Sequence, residues 1–143
     1  MRLTRSTRVD ADVHPGFHAT ETRSLQTSLH AALTAAERAT GGAVPVEVAF
    51  DDGRDGGLVV VCRNLVVGFV PASRVPRLRA QRDAAGPRAR LVAPGRLHPE
   101  GPLWRVWVGP VPDDGVPVAD EAADVLAPPE PAVLGIPLRR GDG

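Results

Sequence analysis

Two apolar runs, Leu58–Cys62 and residues 65–70, are separated by Arg63 and Asn64 alone. So short a gap admits a tight β-hairpin and little else, because Asn tolerates the left-handed backbone that a two-residue turn requires. Upstream, Val44, Val46, Val48 and Phe50 alternate with Pro45, Glu47 and Ala49, which is the period of a half-buried strand. Pro45 has no N–H to donate and so suits an edge or the start of a strand. Residues 51–57, DDGRDGG, are dense in turn formers.

Downstream of Pro71, Ser73 is placed to cap a short helix running to Ala85 and closed by Gly86 and Pro87. Pro76 falls in its first turn, where a missing N–H does little harm, and Val75 and Leu78 face inward. A strand is expected over 89–93, ahead of a turn at Pro94-Gly95. A last one, Leu103–Val108, puts Trp104, Val106 and Val108 on one side and Leu103, Arg105 and Trp107 on the other. Leu25, Leu29, Ala32, Leu33 and Ala36 form one helical stripe, so a helix is expected over 24–40, capped by Ser24 and stopped by Gly41-Gly42.

These elements predict an α+β, mainly β fold: a small SH3- or OB-like barrel of about five strands, with one inserted short helix and an N-terminal covering helix. The expected organisation is a flexible arm (1–19), a helix (20–42), a small β-barrel domain (43–110) and a Pro-rich acidic tail (111–143), largely extended or disordered. With two Trp, three Phe and no Tyr, the core must be built from Val, Leu and Ala. No apolar run approaches the roughly 20 residues that span a bilayer, and residues 1–17 hold no apolar leader, so no membrane association and a cytoplasmic location are expected. A single cysteine excludes an internal disulfide and a Cys-cluster zinc site.

Sites for chemistry are few. Cys62 lies inside LVVVC and reads as a small buried hydrophobe. A calcium loop starting at Asp51 fails at its third and twelfth positions, Gly53 and Cys62. His14, His18, His30 and His98 show no spacing that gathers a third ligand, so any metal there would be an adventitious surface ion. The glycines of GRDGG precede neither Lys-Ser/Thr nor a helix, so they bind no phosphate. Arg140-Gly141-Asp142 is a chance tripeptide. The expectation is a non-enzyme without cofactor or metal.

Charge is more informative. Seventeen bases, all arginine, balance seventeen acids, a composition that GC-rich codon usage produces by itself. Their distribution is uneven: nine arginines and two acids lie between Arg63 and Arg105, whereas residues 110–131 hold six acids and no base. Arg74, Arg77, Arg79 and Arg82 crowd the short helix. With Arg105 they would neutralise phosphates, while Trp107, on the Arg105 face, and Phe69 would stack on bases. The bland reading is that the arginine stems lie over the barrel with their heads in water.

The stretch VEVAFDDGRDGGLVVVCRNLVVGFVPASRVPRL, residues 46–78, resembles the HIRAN domain, a small modified OB-like barrel. The clearest match is Val67-Gly68-Phe69-Val70-Pro71 stepping into the helix; Gly68 would allow a close backbone approach. The resemblance spans residues 44–109 and implies single-stranded DNA binding, although DDGRDGG replaces the family's usual Asn-Pro-Tyr-Asp-like turn. Single-stranded nucleic acid is thus the expected partner. The alternative is a protein-protein adaptor whose barrel and N-terminal helix dock a partner protein, with the acidic tail as a tether or a mask for the basic face. No oligomeric state follows from the sequence.

Overall fold

The strands of the protein, seen in a computed structural model that describes residues 7–119, are β1 (Thr7–Asp10), β2 (Phe17–His18), β3 (Val44–Asp52), β4 (Leu58–Cys62), β5 (Leu65–Phe69), β6 (Ala89–Glu100) and β7 (Leu103–Val108). Its α-helices are α1 (Gln26–Ala32), α2 (Ala35–Thr40) and α3 (Val75–Ala85). The chain is α+β and mainly sheet, with seven described strands rather than about five. They form one sheet in the order β2-β7-β6-β3-β4-β5, antiparallel throughout, with β1 added parallel to β6.

The sheet curls into a half-barrel, and the segment that starts at β2 runs from one edge to the other. Ala19 N–H donates to the Val106 carbonyl at 2.9 Å, and Thr20 and Phe69 exchange N–H···O bonds of 2.8 and 3.1 Å. Gly68 makes this approach feasible, since a Cβ there would stand 2.5 Å from that of Ala19. The expected hairpin is present: Arg63 and Asn64 take φ of 52° and 68° between the paired residues Cys62 and Leu65.

Three expectations are corrected. The first is the strand ending at residue 93: β6 continues through Pro94 and Gly95 to Glu100. It changes partner there on one side, from β1 at residues 89–92 to β7 at residues 95–100, so the strand needs no turn. Gly95 admits its neighbours closely, for a Cβ would lie 2.9 Å from the Trp107 carbonyl and 3.1 Å from Val48 Cγ1.

The second is the single covering helix over 24–40, which is not shown. A 3₁₀ turn (Thr22–Leu25) leads into α1, and at Leu33 the backbone becomes extended, with φ −92° and ψ 143°. Thr34 restarts the helix through a capping box: its hydroxyl accepts from Glu37 N–H at 3.1 Å, and Glu37 Oε1 accepts from Thr34 N–H at 2.8 Å. The break turns Leu33 into the core, and Arg38 donates to the carbonyls of His30 and Leu33 beside it.

The third concerns the arm. Thr7–Asp10 is a strand, with Val9 packed on the core and Val13 buried behind it. Residues 1–6 and the acidic stretch from Asp120 onward lie outside the described residues, and with them most of the expected tail. Of that tail, Ala119 N–H donates to Glu100 Oε2 at 3.0 Å.

The core is aliphatic, as the composition requires. Leu29, Val48, Phe50, Leu58, Val60, Val67, Leu91, Leu97, Val106 and Val108 are fully buried, with Trp104 as the bulky exception at one end. Each such Val or Leu contributes about 1.5–3 kcal/mol relative to exposure. No helix among the described residues is long and apolar enough to cross a membrane.

Candidate functional site

Helix α3 has little apolar surface to hold it. Leu78 is its one buried residue, and Val75 is packed at the margin of the core. Polar side chains fasten it on two sides. Along one row, Arg74 donates to the carbonyls of Pro15 (2.6 Å) and Gly16 (3.2 Å), and Arg77 to the His14 carbonyl (2.9 Å) and Asp12 Oδ2 (2.6 Å). Gln81 completes that row, accepting from Asp12 N–H at 2.7 Å and donating to the Asp12 carbonyl at 2.9 Å. Along the other row, Arg79 donates to the carbonyls of Gly56 (2.8 Å) and Gly57 (3.0 Å), and Asp52 bridges Arg79 at 3.2 Å and Arg82 at 2.7 Å. The four arginines that cluster in sequence are therefore split between loop 12–16 and loop 52–57, with Leu78 between the rows.

The electrostatics follow this arrangement. The Arg82 hydrogen bonds, with lesser help from Arg79, hold the Asp52 carboxyl below its ordinary range, and Asp52 in turn raises Arg82. Asp12 is lowered first by the His14 N–H and then by Arg77. Elsewhere Arg63 makes a two-point ion pair with Glu37 and donates to the Ala32 carbonyl, tying the β4–β5 turn to the break between α1 and α2. Arg8 pairs with Glu47 and Arg90 with Asp51.

Arg105 and Trp107 do share a face of β7, and it is the outer face of the sheet. Neither is open, at 6% and 4% exposure. Arg105 donates to Glu100 Oε1 (3.3 Å) and to the Thr22 hydroxyl (3.2 Å), and Trp107 Nε1–H donates to the Pro110 carbonyl (3.1 Å). Phe69 is half-buried, with its backbone bonded to Thr20. The structure thus brings Arg105 and Trp107 together on β7, with Trp107 against Gly16, whose carbonyl Arg74 holds, and leaves Phe69 on β5.

The outer face of β6 organises what remains. At one end, registers Glu47↔Pro94, Ala49↔Val92 and Asp10↔Val92 lay out a shallow groove over β1, β3, β4 and β6. It holds two adjoining depressions that share Glu47 and Val92, one lined also by Asp10, Pro45 and Pro94 and the other by Arg8, Ala49, Val61, Arg63 and Arg90. Ala49, Val61 and Val92 are buried although they lie outside the main core. At the other end, His98 meets His18 with Nε2 atoms 3.2 Å apart, and the His18 and Trp107 rings pack edge-on with centroids 5.1 Å apart. Burial lowers both histidines, His18 from 6.5 to about 4, with the neighbouring His98 as its second cause. Burial also raises the Cys62 thiol, which keeps it inert.

Sequence reasoning missed the His18–His98 pair, the Asp12–Gln81 exchange and the groove. The alternation of β3 marks the outward positions of the groove, but no local signal joins residues that the sheet brings together from distant segments. Comparisons with protein families, with curated proteins and with solved structures return no match to this chain.

Proposed function

We propose that this chain is a non-enzymatic, protein-binding module of the SH3- or OB-like kind, taking a segment of a partner protein in the outer groove over β1, β3, β4 and β6. The observation that carries the reading is the makeup of that groove: apolar Pro45, Ala49, Val61, Val92 and Pro94 beside charged side chains of both signs. An apolar centre with a polar rim is the anatomy of protein interfaces. Carboxylates at positions 12, 37, 47, 51 and 52 each meet an arginine of the same chain, which is the chemistry of fastening rather than of acid-base catalysis.

The competing reading, single-stranded DNA on the arginine face as the HIRAN resemblance implies, draws on the step from Val67 through Pro71 into α3. Against it, phosphates would have to displace the carboxylates and carbonyls that Arg74, Arg77, Arg79 and Arg82 already hold. One experiment separates the two. Peptides selected on the immobilised protein are titrated against wild type and Pro94→Arg, alongside labelled single-stranded and duplex oligonucleotides at low and physiological salt. Pro94 is exposed, so an arginine there overhangs the groove without entering the core. Peptide affinity is expected to fall at least tenfold in Pro94→Arg. Single-strand binding that persists at physiological salt, and is lost when Arg77, Arg79 and Arg82 become Ala, would overturn the proposal in favour of nucleic acid.

A further inference from the structure

The geometry points to a second site, independent of the groove: a two-histidine clamp for a divalent late-transition-metal ion, formed by His18 of β2 and His98 of β6 over the edge of Trp107. The Nε2 atoms lie 3.2 Å apart and the ring centroids 5.3 Å apart, so the imidazoles meet nitrogen to nitrogen rather than face to face. Metal–imidazole bonds of about 2.0–2.1 Å close a gap of that width at an angle of about 100°, between the square-planar and tetrahedral values. An ion of that size therefore spans the two nitrogens once the rings turn their lone pairs toward it.

The surroundings prepare both nitrogens. Two Nε2 atoms at that distance share one proton, one donating to the other, and a metal takes both lone pairs once that proton moves to the Nδ1 of its own ring, so no proton is lost. Glu100 lies close enough to both rings to favour positive charge between them, whereas Arg105 opposes it at both and Arg96 at His98. Glu100 and Arg105 are themselves an ion pair, which limits the opposition.

No group of three or more His, Cys, Asp or Glu side chains able to hold a metal occurs among the described residues. The clamp accordingly supplies two ligands and leaves the other positions to water or an incoming donor. Imidazole donors favour copper, nickel and zinc over magnesium or calcium. Because β2 and β6 flank β7, a bound ion ties β2 to β6 across it.

The test uses the full chain with Zn²⁺ or Cu²⁺ alone as probe. At a hundredfold excess over Kd, metal is expected to raise Tm by roughly 5–10 °C. The shift should vanish in both His18→Gln and His98→Gln and survive when the exposed His14 and His30 are both replaced by Ala. Electron paramagnetic resonance of the wild-type Cu²⁺ complex should show two equivalent-class imidazole nitrogens, a readout that does not depend on either variant folding. No Tm shift, a shift retained in His98→Gln, or a spectrum with one nitrogen overturns the clamp.

Discussion

Gly68 is the tightest point in the sheet, since a methyl group there would stand 2.5 Å from the Cβ of Ala19, itself almost fully buried. Neither backbone can retreat without opening the Thr20–Phe69 exchange. Gly68→Ala is therefore expected to cost about 1–3 kcal/mol, read as a lower midpoint in a denaturant melt; an unchanged midpoint would mean the seam yields. The sequence marks Gly68 as a site of close approach but not what approaches, because Ala19 lies in a segment whose strand is only two residues long. The same limit applies to Trp107 and Arg105. Alternation along the strand assigns them one face, whereas their burial comes from Thr22, Glu100 and Pro110, which periodicity does not connect to them.

Among the elements, α2 gives the clearest case of a local signal overruled by a broader one. The stripe from Leu25 to Ala36 reads as one helix, and the Thr34/Glu37 spacing that starts the second one sits inside it. Thr34→Ala is expected to destabilise by about 0.5–2 kcal/mol, measured by chemical denaturation. Glu37 adds a pH signature. The Arg63 hydrogen bonds, followed by the Thr34 N–H, bring its carboxyl down to about 2. A depressed acid stabilises the fold fully above its ordinary pKa of 4.5 and loses that contribution as the pH falls toward 2. Glu37→Gln should flatten the decline of Tm across that window, and a decline as steep as in wild type would deny Glu37 the role. Helix α3 was legible as a helix from its proline, its glycine stop and Leu78. Its two polar rows were not, since loops 12–16 and 52–57 supply their partners.

At the scale of the molecule, the basic stretch from Arg63 to Arg105 is met by acids from elsewhere among the described residues. They come from positions 12, 37, 51 and 52, because an antiparallel sheet lays distant segments side by side. Hairpin, core composition and fold class rest on neighbours in sequence and were legible; groove and histidine pair rest on register and were not. The segment from Phe17 to Thr20 has a further consequence, in time rather than space. Its two partners, β5 and β7, are completed long after it, and β7 is the last described strand. Contacts this remote in sequence carry the largest closure entropy and form late. In pulsed hydrogen exchange during refolding, the amides of Ala19, Thr20 and Phe69 are expected to gain protection after those of the β3–β4 pair, and simultaneous protection would contradict that order. During synthesis the same rule makes β7 the strand that sets the latch: until it leaves the ribosome, the segment from Phe17 to Thr20 must wait with one side unmet.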